Sequence, residues 1–435
     1  MTKQKIAFIG LALLLFLGRT LYGLTSEFWF EDELQIYLIG LKSFTTAAWP
    51  YWGPDVVYTH TQIPGALQGL LISCGFYIWA IPEMPTIVLN ILSFVSLFFF
   101  ALYISKRIPS LPFWVILCWL MTLTWTMDYG TRVVNPSYVL VFSIPFFISL
   151  FELLPIYKTR MVSRWLAFLL LGLSTTLLMQ IHLSYVLLFP FIGLVIFFEC
   201  KKKSMAMKEK LFSVTLFACG LALGLATLIP TWQLQSTHKS VISNIVFSLD
   251  NFKNIISILT RYLSFASFEI PYILGGTTAE RLDLIKTYPW SLPAVLYLLV
   301  LGWVLVAIYL FVFFKNKEQG PWKHIKRLAI MGYVLVFLSF FFSVKGPSSH
   351  TFYILFPLVA FFSFYCHGWL WVTYKKWKSV MYIALISCVI FYTAFGLYNF
   401  KHKSMYMNRS KVSQALIAKN YKLLSTERSA GWRNE

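Results

Sequence analysis

Acidic residues are scarce in this chain: 17 Asp and Glu stand against 37 Lys and Arg. Charge of either sign is scarce as well, at 12% of residues, where soluble domains carry roughly 25%. That deficit excludes one large soluble core. Alternating apolar and polar residues are also missing. Runs such as 86-TIVLNILSFVSLFFFALYI are apolar throughout, which excludes a transmembrane barrel. The six cysteines, at 74, 118, 200, 219, 366 and 388, are scattered through apolar segments without metal or disulfide spacing.

What remains is a chain that is 58% hydrophobic, with apolar runs recurring from end to end. Each run reaches about 17–20 residues, the length needed to cross a bilayer as a helix. Backbone in lipid must satisfy its own hydrogen bonds, so the expected fold is all-α and polytopic. The net charge of +20 does not indicate nucleic acid, because the basic residues cluster in short loops between the runs. The N-terminal run is long and lacks a small-residue cleavage site, and is read as a retained first span.

Charge sets the expected topology. Lys3 and Lys5 place the N-terminus in the cytoplasm, and the first span covers about 6–24. If 64–81 lies in the interface or re-enters, every later Lys/Arg cluster becomes cytoplasmic. The remaining spans then fall near 86–104, 111–127, 138–154, 165–181, 183–199, 211–229, 291–314, 328–344, 352–372 and 379–398, making about eleven crossings. Residues 1–398 form the transmembrane domain, with outer loops at 25–84 and 230–290 and a polar, basic tail at 399–435.

Against this composition one stretch is out of character. Trp29-Phe30-Glu31-Asp32-Glu33 bunches three acids just past the first span. Residues 31–44 read as an amphipathic helix with Leu34, Tyr37, Leu38 and Leu41 on one face, and taken alone the acids are read first as the start of that helix. The topology, however, brings other polar residues to the same outer face. Asp55, His60 and Gln62 lie in 49-WPYWGPDVVYTHTQIPG; Arg132 and Asn135 in 129-YGTRVVNPS; His182 in 179-MQIHLS; Lys345 and His350 in 344-VKGPSSHTFY. Ionisable groups at membrane depth are costly and mark pathways or sites. Cations here suit a lipid phosphate, with Arg favoured for bidentate contact. A carboxylate suits a general base acting on a hydroxyl or amine. The loop 230–290, which carries Arg261, is expected to shape acceptor choice.

The order of these motifs resembles the GT-C membrane glycosyltransferases, in particular the protein O-mannosyltransferase and lipid A aminoarabinose transferase branch. The matches are Trp29 with Asp32-Glu33, His60 with Pro64 and Ala66, Gly130-Thr131 with Pro136, and Ser343-Val344-Lys345-Gly346 before 351-TFYIL, within about residues 1–375. The resemblance implies interfacial helices in the first outer loop. It also implies inverting transfer of a sugar from a polyprenyl-phosphate donor to a glycan, lipid or protein acceptor. Asp32 would be the base and Glu33 its companion; Arg132, Lys345 and His182 would hold the donor phosphate. Asp55, His60, Gln62, Asn135, Arg261 and His350 would line the cavity. The implied location is a bacterial inner membrane, with the site facing the periplasm or the exterior, membrane lipids around it and no nucleic-acid partner.

The resemblance departs at three positions. Gln62 and Asn135 stand where the aminoarabinose branch carries acids, and Leu34 and Gln35 replace an Arg after the D-E pair. Carboxylates able to hold a divalent metal are therefore few, and no cofactor is assigned. Two other readings share these residues: a lipid-linked sugar transporter, and a non-catalytic relative that binds polyprenyl phosphate.

Overall fold

The computed structural model describes residues 3–26, 31–56, 61–65, 67–202, 205–234, 247–274, 278–317, 319–342, 348–402 and 405–422. It is almost entirely helical. In chain order the helices are α1 (Lys3–Ser26), α2 (Glu31–Thr46), α3 (Leu67–Ile78), α4 (Met84–Arg107), α5 (Phe113–Thr122), α6 (Thr124–Thr131), α7 (Val139–Leu153), α8 (Arg164–Met179) and α9 (Phe189–Lys201). There follow α10 (Met207–Leu225), α11 (Ile229–Leu234), α12 (Ile255–Ser264), α13 (Thr278–Thr287), α14 (Leu292–Lys315), α15 (Gly320–Ser339), α16 (Phe356–Thr373), α17 (Lys376–His402) and α18 (Met405–Ala418). Proline opens several of them, at Pro85, Pro190, Pro293, Pro321 and Pro357, where its missing N–H costs nothing.

Among the described residues, eight helices are long and apolar enough to cross a membrane. The expected count of eleven also takes in α7, α8 and the pair α5–α6, in which each single helix falls below that length. The α5–α6 pair is one run broken at Leu123, whose backbone is extended. Bulky apolar side chains ride on the outside of α1, α10 and α14, as expected where lipid is the solvent. The most enclosed helix is α16, at the centre of the bundle.

The two ends of the bundle differ in chemistry. One end gathers Lys106, Arg107, Arg164, Lys201, Lys315 and Lys376, and is cross-braced by Arg107–Glu152 and Arg164–Glu199 ion pairs. The other end holds α2, α3, α18 and a small antiparallel hairpin. Its strands are β1 (Trp52–Val56) and β2 (Thr61–Pro64), with Asp55 opposite Gln62. Helix α3 has 12 residues, about 18 Å, too short to cross. It packs on α2 because Gly40 and Gly69 let the backbones close in: a Cβ on either would meet Ile72 or Ile39 well inside van der Waals distance. Helix α18 closes this end from below α2, with Tyr37 Oη to Ser413 Oγ at 3.0 Å and Arg409 donating to Leu24 O at 2.8 Å.

The segment 250–274 departs from the expected outer loop. Asn251 bonds Phe340 O just past one end of α15, while Tyr262 bonds Ala329 O deeper along that helix. The chain turns at 265–269, where Ala266 O accepts from Tyr309 and Trp119, and then returns to α13 at the loop end. Tyr309 lies 17 residues into α14, about 26 Å along its axis. Residues 250–274 therefore form a re-entrant half-helix and hairpin inside the bundle. Irregular backbone is tolerated at such depth only where protein satisfies it, which Tyr309 and Trp119 do.

Candidate functional site

The site is built where α1, α6, the turn after α8 and the segment before α16 meet. Helix α6 exists because the break at Leu123 is held open by side chains. Arg19 of α1 donates from Nη1 to Met121 O and from Nη2 to Thr126 O, both at 2.9 Å, and from Nε to Asn90 Oδ1 at 3.1 Å. Thr126 Oγ1 bonds Leu123 O at 3.0 Å. A buried arginine thus replaces the backbone bonds that the break removes. Gly130 is required beside it, since a Cβ there would lie 2.6 Å from Arg19 Nη2.

One turn further on stand Asp128 of α6 and Arg132, the residue that caps its end, which form an i,i+4 ion pair buried from solvent. Tyr22 Oη also reaches Asp128 Oδ1, at 3.5 Å. Beyond Arg132 the chain turns on Ser137, whose Oγ donates to Arg132 O and accepts from Val134 N. Gln68 of α3 pins the turn by donating to Asn135 O and Ser137 O at 2.5 and 3.1 Å. The side-chain oxygens of Gln62, Gln68 and Asn135 are buried and have no hydrogen-bond partner among the described residues.

His182 caps the 3-10 turn Leu183–Leu188. Its Nδ1 accepts from the Ser184 amide at 3.2 Å and lies 2.7 Å from Ser184 Oγ. That bond assigns the proton to Nε2. Burial pushes this imidazole down to about 3, and the charge of His350 adds to the shift. His182 is therefore neutral near pH 7 and offers a hydrogen bond in place of the positive charge expected of it. His350 opens the turn Ser349–Leu355, so the two histidines approach from different elements.

Next to His350 lies a cavity of about 650 Å³. Ser257, Thr260, Arg261 and Ser264 of α12 form one wall, continued by Ser267 and Glu269 at the hairpin tip. The opposite wall is the apolar stripe of α14: Leu299, Trp303, Val306 and Leu310. Glu269 Oε2 accepts from Ser264 Oγ at 2.8 Å and from Trp125 Nε1 at 3.0 Å. Trp125, Tyr129, Phe265 and Tyr353 pack edge to face between this tip and α6, making one aromatic seam.

Of the residues singled out from sequence, the structure brings together His182 and His350, and His350 and Arg261. Gln62 and Asn135 are buried nearby, on β2 and on the turn after α6. Trp29, His60 and Lys345, together with the side chains of Asp32, Glu33 and Asp55, lie outside the described residues. The backbone of 31–33 forms the first turn of α2, where acids complement the helix dipole. Two polar groups escaped the sequence reading: Arg19 and Asp128. Asp128 was signalled by its i,i+4 spacing to Arg132; Arg19 resembled an ordinary span-end charge. Among the described residues, no three His, Cys, Asp or Glu side chains gather as a metal-holding group.

No protein-family model matches this chain, and no curated protein matches it by sequence. Among solved structures, it is similar to ArnT from Cupriavidus metallidurans bound to undecaprenyl phosphate. The TM-score is 0.52 at 11% identity, covering 96% of this chain and 80% of that one. The likeness runs almost the whole length of the chain, and at this identity it is a likeness of fold: a polytopic membrane protein with an ArnT-like architecture.

Proposed function

We propose that the protein is an inverting membrane glycosyltransferase that moves a sugar from a polyprenyl-phosphate donor to an acceptor at the loop end of the bundle. The observation that carries this reading is the ArnT-like fold over 96% of the chain. Its support in the chain itself is the set of polar groups at that same end. The basic end would face the cytoplasm by the positive-inside rule, and the site the periplasm or exterior.

In the proposed reaction, Asp32 removes a proton from an acceptor hydroxyl. The freed oxygen attacks the anomeric carbon from the face opposite the phosphate. The bond from that carbon to the phosphate oxygen breaks, and its electron pair leaves with polyprenyl phosphate. Glu33 would keep Asp32 basic by like-charge repulsion. Arg132, backed by Asp128, would stabilise the charge developing on the leaving phosphate together with Lys345. His182 would contribute its Nε2–H as a neutral donor. Asp55, His60, Gln62, Asn135, Arg261 and His350 would line the substrate space.

The test is transfer from an undecaprenyl-phosphate sugar in proteoliposomes, comparing the wild type with Asp32→Asn. A positioned base contributes about 10²–10⁴-fold, so turnover is expected to fall by that order. Turnover near wild type would remove Asp32 from this role. Movement of labelled lipid across the vesicle without a covalent product would replace transfer by transport.

A further inference from the structure

The cavity between α12 and α14 is not needed to hold the leaving phosphate, and its walls are built for a different ligand. We propose that it receives the second substrate of the transfer: an amphipathic, membrane-embedded acceptor with a hydroxyl-bearing headgroup, entering sideways from the bilayer. This inference rests on the transferase reading and supplies its acceptor class.

Three observations point the same way. First, the α14 wall is apolar and continuous with lipid-facing surface, since Trp303 lines the cavity while 76% exposed. A water-soluble glycan has no use for such a wall, whereas an acyl or prenyl tail does. Second, the facing wall presents hydroxyls at Ser257, Thr260, Ser264 and Ser267, beside Arg261 and Glu269. One Arg and one Glu sum to no net charge. A bare lipid phosphate would gain little there and would meet the Glu269 carboxylate. Sugar hydroxyls, by contrast, can donate to a carboxylate and accept from a guanidinium. Third, the Glu269 carboxylate is held at one oxygen only. Both of its hydrogen bonds land on Oε2, and Oε1 has no partner among the described residues. The hairpin tip is itself fixed by Tyr309 and Trp119 on Ala266 O, so this half-bonded carboxylate is positioned before any ligand arrives.

His350 joins the two halves of the site. It lines the cavity and acts electrostatically on His182. An acceptor headgroup bound by Glu269 would thus meet the donor at His350. Ionisable side chains at this depth are costly unless a pathway or site uses them.

The test places photoreactive p-benzoylphenylalanine at Val306 of the full chain, in phosphatidylethanolamine nanodiscs. The discs are doped either with monoglucosyl diacylglycerol or with undecaprenyl phosphate, and adducts are identified by mass. The expected result is enrichment of the glucosyl lipid over bulk phospholipid by about fivefold or more, corresponding to about 1 kcal/mol of preference. That enrichment should be lost in Glu269→Gln and reduced in Thr260→Val, which keeps shape and replaces a hydroxyl with a methyl. Equal labelling of all lipids, preference for undecaprenyl phosphate, or enrichment that survives both substitutions would overturn the proposal. Because the readout is binding, it separates the two readings. Enrichment without any sugar transfer would leave a glycolipid-binding cavity but remove its role as acceptor site together with the transferase, whereas transfer without enrichment would leave the transferase standing and take the acceptor out of this cavity.

Discussion

Arg19 and Glu269 are both ionisable groups set deep in an apolar bundle, yet their surroundings differ. All three guanidinium nitrogens of Arg19 are engaged, on Asn90, Met121 and Thr126. Glu269 is bonded at one oxygen and borders a cavity. The first is a closed charge that substitutes for helix hydrogen bonds at the Leu123 break. The second is an open charge with remaining capacity to bind. Burial alone therefore does not distinguish a structural charge from a site; the hydrogen-bonding capacity left over does.

That contrast can be broken or sharpened by substitution. After Asp32, the largest effect on activity is expected at the Asp128–Arg132 pair. Replacing Arg132 with Gln and Asp128 with Asn together avoids leaving one buried charge alone, and transfer should fall by about 10²–10³-fold, as when an electrostatic stabiliser is removed. Proteoliposome turnover measures it, and a fall below tenfold would take Arg132 out of the phosphate site. The largest effect on stability is expected for Arg19→Met. It leaves two buried carbonyls and the Asn90 amide oxygen without donors, each worth about 1–3 kcal/mol. Thermal unfolding in detergent should show a loss of several kcal/mol or no folded protein, and a stable variant would contradict a structural Arg19.

Glu269→Gln should do the opposite, shifting stability by about 1 kcal/mol or less while abolishing selective lipid labelling. A large drop in melting temperature would make Glu269 another closed charge. The last effect concerns His182 and is confined to acid pH. Its folded value of about 3 lies below the roughly 6.5 of an exposed histidine, so the unfolded chain takes up a proton first as pH falls. The stability contributed by the neutral imidazole is present above about pH 6.5 and is lost progressively toward pH 3. Melting temperature between pH 7 and 4 should fall less steeply in His182→Gln than in the wild type, and parallel curves would show His182 to be accessible.

The long helices were legible because lipid demands unbroken apolar runs, and those runs are visible one residue at a time. The start of α2 was legible for a similar local reason, since acids gather at helix N-termini. Residues 250–274 were not. Their apolar positions, including Ile258, Tyr262 and Leu263, alternate with serines and Arg261. Polar residues within a short segment read as an outside loop. What holds the segment inside is supplied by α5, α14 and α15, in hydrogen bonds that no local pattern reveals. Arg19 escaped for the same reason, because its partners lie 71 to 107 residues away. The convergence of His182, His350 and Arg261 was anticipated only to the extent of a shared face. The cavity that Arg261 and His350 line together needed three dimensions.

The placement of α18 beneath α2 has a consequence for how the protein is made. Thr45 Oγ1 and Tyr421 Oη lie 2.7 Å apart across 376 residues of chain, and Arg409 holds the end of α1 across 385. At about 5–20 residues per second of synthesis, the helix bearing the acidic triplet waits roughly 20–75 s after insertion for its final support. A nascent chain in the membrane would thus hold a full set of early helices with an unlocked first loop. The contacts of α18 with α1 and α2 would form only once α18 has emerged from the ribosome.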